Sequence, residues 1–382
     1  MLYADGIHDD TLALQELLDA RGIVTVDRPG TYLVSKTLII HSDTRLVLAP
    51  GVHLLAAPMS RCALIENEHF AGGGKDENIG IVGGIWDGNC DAMGLDASYE
   101  TEHRLDDPYD PKLFKGKLIR FAHVERLSLQ GMTVRNPVSY GVQIADAYAF
   151  AVRDIFFDYN WHFGTTDGIH VNGPSFDGVI ENLSGTTNDD LVSLTTYDES
   201  HAEVTLGPIE NIVIRNLSAR NGYSGVRLLS GEGYPLRAVR IDGLYGTFRH
   251  HGVIISNHNL RPGKVWFDQL VIENVYACKS DTPIGPECHV KWEKHAPKDP
   301  FFCFEKGAVC GNVTFRNIHR HQEVSSPAPL FSADETCSFD RLVLDNICQT
   351  CGEGASAPVW GKTGAKIGCL IERDSVTSSV EK

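Results

Sequence analysis

The chain has 382 residues and a formal net charge of −16 at pH 7, from 50 acidic and 34 basic residues. This acidic balance argues against binding to nucleic acid or to an anionic membrane, and no apolar run approaches the ~20 residues of a membrane-spanning helix. The first residues carry neither the basic nor the apolar region of a secretory signal, so we expect a cytoplasmic protein, or a secreted one if a leader has been removed. The ten scattered cysteines are expected to be reduced thiols.

The N-terminal residues 1–23 are expected to form a cap. Asp9, Asp10 and Thr11 offer an N-cap for an amphipathic helix over residues 11–21, and Gly22 ends it. The apolar residues of this helix are Leu12, Leu14, Leu17 and Leu18. We expect residues 1–382 to form one domain, with repeated coils over 24–372 and a disordered tail over 373–382.

A short apolar strand that ends in Asn or Gly recurs along most of the chain. Successive copies lie 27 to 43 residues apart. Their corner residues are Asn182, Asn216, Gly243, Asn274, Asn317 and Asn346. Asn and Gly suit a bend with positive φ, and Asn can also stack its amide on that of the next copy. Short strands at a loose period of this size predict a solenoid, and the alternation with period two makes it an all-β right-handed parallel β-helix.

A second repeated strand follows each corner and places a polar stripe on another wall of the coil. Its aliphatic residues should point inward because side chains alternate along a strand. The outward residues are Tyr140, Asp167, Asp190, Ser224 and His251 in one column, and Gln143, His170, Ser193, Arg227 and Ile254 in the other. An ordinary solvated sheet face is the alternative, but such faces usually mix Lys, Glu, Thr and Ser.

Two strings place three carboxylates in this stripe. Asp167 follows Thr165 and Thr166, and Asp189 and Asp190 follow Asn188 one coil later. Clustered acids repel one another, so either a cation neutralises them or they transfer protons. The grouping therefore indicates an enzyme.

Two insertions interrupt the repeat, at residues 87–117 and 279–306. Long insertions in a solenoid lie on one face and usually border the binding groove. Aromatic residues within them, such as Tyr109 and Trp292, either stack on sugar rings or only anchor the loops.

Several motifs together resemble the polygalacturonases, the family 28 glycoside hydrolases of the pectin-lyase-like β-helix superfamily. They are Asp5-Gly6 followed by Asp9-Asp10-Thr11, Gly84-Ile85-Trp86-Asp87-Gly88, and the two aspartate strings. The resemblance covers about residues 5 to 350. It implies an inverting hydrolase in which Asp167, Asp189 and Asp190 are catalytic. Thr165 stands where the family has Asn, and Asn188 where it has Gln.

Two further departures concern the substrate. The Gly-His-Gly turn of the family corresponds to Tyr223-Ser224-Gly225, which lacks the histidine, and its Arg-Ile-Lys strand falls near residues 253–255, which lack a cation. The resemblance thus implies cleavage of a glycosidic bond with an altered grip on the substrate, so we expect the preferred substrate to differ from plain polygalacturonate.

The expected mechanism gives each acid a role. Asp190, crowded by two other carboxylates, is expected to protonate the leaving oxygen, while Asp167 and Asp189 activate a water. The expected substrate-binding residues are Gln143, His170, Asn188, Arg227 and His251. We expect a carbohydrate partner and neither a metal nor a cofactor, and self-association stays open.

Two alternatives remain at this point. A polysaccharide lyase or uronate epimerase on the same scaffold would need a basic side chain beside a group that neutralises a carboxylate, or Ca²⁺ held by the aspartates. A non-catalytic carbohydrate-binding or tail-spike-like β-helix would not need three acids in one place.

Overall fold

The computed structural model describes residues 1–94, 116–197, 204–258, 266–282 and 297–379. Strands make up 57% of the structure and helices 5%, and the strands pair in parallel, which confirms the expected all-β right-handed parallel β-helix. They divide into two compact units. The first comprises Met1–Val171 and Leu183–Asp189, and the second the described parts of 172–182, 190–283 and 292–382. The assignment of the whole chain to one domain stays a prediction.

The first unit contains the N-terminal helix and the strands up to β15. Its elements are β1 (Asp5–Asp9), α1 (Thr11–Asp19), β2 (Gly22–Val26), β3 (Gly30–Val34), β4 (Leu38–Ile40), β5 (Thr44–Leu48), β6 (Val52–Ala56), β7 (Ile65–Asn67), β8 (Asp76–Glu77), β9 (Gly80–Val82), β10 (Ile85–Asp87), a 3₁₀ turn (Cys90–Met93), β11 (Ile119–Glu125), β12 (Ser128–Gln130), β13 (Thr133–Arg135), β14 (Val142–Tyr148) and β15 (Ala151–Asp158). Strands of successive coils lie in register, so that Ile65, Ile119 and Val142 form one buried column.

The second unit repeats this arrangement with longer strands. Strand β16 (Ile169–Thr186) contributes residues to both units. The strands that follow are β17 (Asp190–Thr195), β18 (Ile209–Gly222), β19 (Ser224–Leu229), β20 (Pro235–Phe248), β21 (Val253–Ser256), β22 (Trp266–Lys279), β23 (Phe302–Phe304), β24 (Val309–Gln322), β25 (Phe331–Ala333), β26 (Ser338–Cys351), β27 (Lys366–Arg373) and β28 (Val376–Ser379). Here Val226, Val253 and Phe302 form the corresponding inward column.

The corner residues adopt the predicted conformation. Asn182, Asn216, Gly243, Asn274, Asn317 and Asn346 all have positive φ, between 52° and 94°. Their side chains also stack: Asn317 Nδ2 donates a hydrogen bond to Asn274 Oδ1 at 3.0 Å, and Asn346 Nδ2 donates to Asn317 Oδ1 at 3.0 Å. The sequence therefore predicts both the bend and the amide ladder correctly.

The N-terminal cap differs from its prediction in two respects. The helix ends at Asp19, and Leu12 is 78% exposed although Leu14 and Leu18 are buried. The Asp10 side chain does not cap the helix. Its carboxylate accepts hydrogen bonds from the backbone N–H groups of Tyr3 at 2.6 Å and Ala4 at 3.0 Å. The acid therefore fastens the preceding segment instead.

The C-terminal residues also differ from the expected disordered tail. Strand β28 lies within the interval 373–382, and its Val376 pairs with Cys348 of β26. Within the part of the chain that the structure describes, no helix is long and apolar enough to cross a membrane.

Candidate active site

Asp167 lies in the first unit, immediately before β16, and is buried. His170, three residues further on, places its Nδ1 2.7 Å from Asp167 Oδ2. The Tyr159 hydroxyl donates a hydrogen bond to the backbone carbonyl of Asp167 at 3.1 Å. Both the carboxylate and the backbone of this residue are therefore held by neighbours.

The surroundings of His170 are aromatic and closely packed. Its ring stacks on Tyr140 with centroids 4.1 Å apart and planes within 4°. Lys117 Nζ lies 4.9 Å from the centroid of the Tyr140 ring. Gln143 of β14 is buried as well. Burying a polar side chain costs free energy unless the group finds a bonding partner. This row of buried polar side chains is therefore unlike the solvated sheet face considered above.

Asn188 and Asp189 complete the acid cluster of the first unit. Asn188 is fully buried, and its Nδ2 donates a hydrogen bond to the carbonyl of Phe163 at 2.8 Å. Asp189 is half-buried, and a carboxylate oxygen of Asp189 lies within 4.8 Å of one from Asp167. The amide of Asn188 thus fixes the turn that presents Asp189, while its expected contact with substrate stays a prediction.

Asp190 is the next residue in the chain and opens β17 in the second unit. Its side chain is only 2% exposed and forms an ion pair with Arg227 of β19. Arg227 Nη1 also donates a hydrogen bond to Ser256 Oγ at 3.3 Å, and that hydroxyl donates to Glu305 Oε2 at 2.8 Å. Arg227 is therefore held against Asp190, a partner that the sequence did not indicate.

Two adjacent histidines lie further along the second unit. His250 Nδ1 lies 3.2 Å from Ser224 Oγ, and its Nε2 lies 2.9 Å from Asp299 Oδ2. His251 Nδ1 lies 2.5 Å from the carbonyl oxygen of Pro300. Sequence reasoning singled out His251 but missed the contact between its neighbour His250 and Asp299. Asp299 lies in an irregular insertion that follows no repeat.

Burial lowers the pKa of both imidazoles well below the usual value. For His250 the charges of Arg227, Lys279 and Arg249 lower it further, and for His251 the neighbouring His250 and Lys279 do the same. Both rings are therefore neutral near pH 7. The expected role of His251 in substrate binding stays a prediction. Tyr109 and Trp292, named as possible sugar-stacking residues, lie outside the described residues.

The acids of the first unit have the means to transfer protons. Their nearest oxygens are close enough for one water molecule to bond to both, since each such bond is about 2.7 Å long. One of these acids, Asp167, also has the His170 imidazole within hydrogen-bond distance. A proton donor and a base in such proximity can act on one substrate bond.

A comparison with known protein families finds no match, and a search of curated proteins finds none either. Solved structures do match. The family 28 exopolygalacturonase of Yersinia enterocolitica is 16% identical with a TM-score of 0.59, covering 99% of this chain and 76% of its own. The endo-xylogalacturonan hydrolase of Aspergillus tubingensis is 13% identical with a TM-score of 0.58, covering 100% of this chain and 92% of its own.

The mannuronan C-5 epimerase AlgE6 A-module of Azotobacter vinelandii is equally similar. It is 14% identical with a TM-score of 0.59, and the alignment covers 97% of each chain. Sequence identities this low show a shared fold and do not identify the reaction. The chain thus has the right-handed parallel β-helix fold of the polygalacturonases.

Proposed function

We propose that the protein is a glycoside hydrolase that cleaves an O-glycosidic bond of an oligo- or polysaccharide. The observation that carries this proposal is the pair of carboxylates of Asp167 and Asp189, whose oxygens lie within 4.8 Å, with Asp190 following in the chain. Glycoside hydrolysis needs two carboxyl groups at the scissile bond, one as acid and one as base or nucleophile. The fold shared with a family 28 exopolygalacturonase supports this reading.

The contacts of the three acids favour Asp189 as the proton donor. Arg227 stabilises negative charge on Asp190, and an Nδ1–H of His170 would do the same for Asp167. Asp189 is half-buried whereas Asp167 and Asp190 are buried, so its carboxyl group is the most accessible of the three to a leaving oxygen. This proposal differs from the expectation that Asp190 is the acid, because the Asp190 side chain is buried in an ion pair with Arg227.

The two remaining acids are then bases. Asp167 and Asp190 would orient and deprotonate the attacking water while Asp189 protonates the leaving oxygen. Carboxyl separations are ~6.5–9.5 Å in inverting and ~5–5.5 Å in retaining enzymes. The nearest oxygens of Asp167 and Asp189 are closer than either range, so the spacing does not distinguish inversion from retention. We propose inversion, as the resemblance implies. Proton NMR of the first product formed gives its anomeric configuration, and a retained anomer contradicts inversion.

The substrate group beside Asp190 is proposed to be neutral. Val253, Ile254 and Ile255 are all buried aliphatic residues where the polygalacturonases carry cations, and Arg227 is committed to Asp190. A buried carboxylate without a partner of opposite charge is penalised by several kcal/mol. Neutral oligosaccharides should therefore be cleaved faster than oligogalacturonate, and the opposite order of initial rates would refute this part of the proposal.

One assay separates the hydrolase from its alternatives. The protein is incubated with a panel of neutral and uronic acid oligosaccharides, and the products are examined for new reducing ends, unsaturated uronates and changed uronate configuration. New reducing ends on saturated products identify a hydrolase. Unsaturated products identify a lyase, and a changed configuration without cleavage identifies an epimerase, the activity that names the Azotobacter structure. Binding without any reaction identifies a carbohydrate-binding protein.

A further inference from the structure

Three side chains of the second unit converge outside the acid cluster. His250, His251 and Asp299 each present a nitrogen or oxygen atom, and these atoms all lie within 4.8 Å of one another. The two imidazole rings have centroids 3.8 Å apart and are tilted by 48°. Two imidazoles and one carboxylate form a ligand set that first-row divalent cations use in proteins.

In both rings Nδ1, the nitrogen that would not bind the metal, already faces a partner. Nδ1 of His251 lies 2.5 Å from the Pro300 carbonyl, which fixes the proton on Nδ1 and leaves a lone pair on Nε2. Nδ1 of His250 faces the Ser224 hydroxyl, and its Nε2 faces Asp299. Histidines that bind metals characteristically donate their other N–H to a carbonyl or similar acceptor, which fixes the tautomer and the ring orientation.

The backbone around these side chains is also firmly held. Gly252 N–H donates a hydrogen bond to the Phe301 carbonyl at 2.8 Å, which ties the segment after His251 to the segment after Asp299. A side chain at Gly252 would collide with the Phe301 ring, so the two segments approach closely. Lys279 Nζ donates a hydrogen bond to the Arg249 carbonyl at 2.7 Å. The three ligands are therefore presented by a fixed framework.

We propose that His250, His251 and Asp299 bind one divalent transition-metal ion, with Zn²⁺ as the ion that fits best. Nitrogen ligands favour Zn²⁺ over Ca²⁺ and Mg²⁺, which prefer oxygen. Zinc bound at ~2.0–2.2 Å from three ligands needs them about 3–3.5 Å apart, so small side-chain shifts complete the site. His250 and Asp299 are partly exposed, which gives the ion and a fourth water ligand access. The site is distinct from the acids and stands independently of the proposed hydrolysis.

A second cluster in the chain provides a matched control. Glu68, His69 and Asp76 also bring their ligand atoms within 4.8 Å. However, the Asp76 carboxylate accepts hydrogen bonds from Asn67 Nδ2 at 2.7 Å, from the His69 N–H at 2.8 Å and from Ser42 Oγ at 2.9 Å. Because its oxygens are engaged in holding the fold, we expect no ion there.

The test is metal binding by the full chain after treatment with a chelator and its removal. Calorimetric titration with ZnCl₂, together with metal analysis after dialysis, should give one tightly bound Zn²⁺ per chain, and Co²⁺ should show the visible absorption of a low-coordinate site. His250→Ala and Asp299→Asn should each weaken binding at least tenfold, whereas His69→Ala should leave it unchanged. Circular dichroism verifies that each variant is folded.

Three results would overturn the proposal. These are no Zn²⁺ bound by the wild type, binding that survives both His250→Ala and Asp299→Asn, and binding that His69→Ala removes. Should His250→Ala fail to fold, Asp299→Asn decides alone, because Asp299 is partly exposed and its replacement removes little packing. Loss of binding in Asp189→Asn with normal binding in Asp299→Asn would place the ion among the acids and refute the assignment.

Discussion

Asp189 and Asp190 are consecutive residues in different surroundings, since Arg227 pairs with Asp190 and Asp189 is half-buried near Asp167. Asp189→Asn should retain folding and substrate binding but lower kcat, because an amide cannot protonate the leaving oxygen. Loss of a general acid typically costs ~10²–10⁴-fold. Initial rates on the best substrate of the panel give this value. A substrate with an activated leaving group, which needs little protonation, should recover most of the rate, and failure to recover it would argue against the acid role.

Arg227 is predicted to act through Asp190 and not through the substrate. Arg227→Gln should lower kcat with little change in KM, because the positioned carboxylate loses its counter-charge. Arg215→Gln is a suitable control, since Arg215 forms a similar ion pair with Glu181 between neighbouring strands. Steady-state kinetics of both variants distinguish the two roles. A raised KM with an unchanged kcat in Arg227→Gln would restore the expected contact with substrate.

Asp76 illustrates a carboxylate with a structural role. Burial raises its pKa, but hydrogen bonds from Asn67, His69 and Ser42 outweigh this effect and lower the pKa below its usual range. Such a group stabilises the fold above its unfolded pKa of ~3.9, and this contribution is lost as the pH falls through the lower folded value.

Asp76→Asn should therefore lower the free energy of unfolding near pH 7, by about 1–3 kcal/mol for buried donors that lose their acceptor. The difference from the wild type should shrink below pH ~4, where the aspartate is protonated in the unfolded chain. Urea unfolding of both proteins at several pH values measures this difference in the free energy of unfolding. A difference that stays constant with pH would exclude the charge as its source.

The proximity of Asp167 and Asp189 could be predicted from sequence, but the partners of the acids could not. The repeat gives the strand register, and Asp190 indeed lies opposite Ser224 and Ser193 opposite Arg227. Arg227 reaches Asp190 diagonally, from a position three residues along β19 from Ser224. This reach depends on the length and rotamer of a side chain, which a pattern of alternation does not contain. The link from His250 to Asp299 was missed for the related reason that the insertion has no register.

At the scale of the elements, helix α1 depends on few residues. Leu18 is 1% exposed and Leu12 is 78% exposed on the same helix. Leu18→Ala should destabilise the protein by ~2–5 kcal/mol because it opens a cavity under the helix. Leu12→Ala should change the stability by less than ~0.5 kcal/mol, as surface substitutions usually do. Chemical denaturation measures the free energy of unfolding of both variants. Equal effects would mean that the helix does not pack as described.

The elements were predictable where a repeated local rule determined them. Asn at a corner tolerates positive φ, and every corner named from the sequence has it. The predicted N-cap was wrong because the Asp10 carboxylate binds the backbone of Tyr3 and Ala4, seven and six residues away. Local preference favours a cap, but two donors from the preceding segment compete for the same oxygens. The strand β28 was missed because pairing with β26 outweighs a polar composition.

For the whole molecule, thiol reactivity should follow burial. The described cysteines are all free thiols; Cys369 is exposed, whereas Cys310 and Cys337 are buried. Burial also raises the pKa of the Cys310 and Cys337 thiols. Cys369 should react with a thiol reagent within seconds to minutes, and the buried pair only as the fold opens. Cys369→Ser should remove this fast phase. Rapid labelling of Cys310, located by mass spectrometry, would contradict the burial. Thiol counting without reductant also tests the expected reducing compartment.

The amide ladder gives the coil stack a direction. Asn274 Nδ2 donates to Asp242 Oδ1 at 2.6 Å, and Asn317 and Asn346 each donate to the asparagine of the preceding coil. The amide dipoles thus point the same way and end on an anion, much as a helix dipole ends on an acidic cap. Duplicating a coil with its asparagine would lengthen this column, whereas replacing one asparagine with leucine would split it into two. Evolution can therefore extend such a protein by whole turns while each junction preserves polarity.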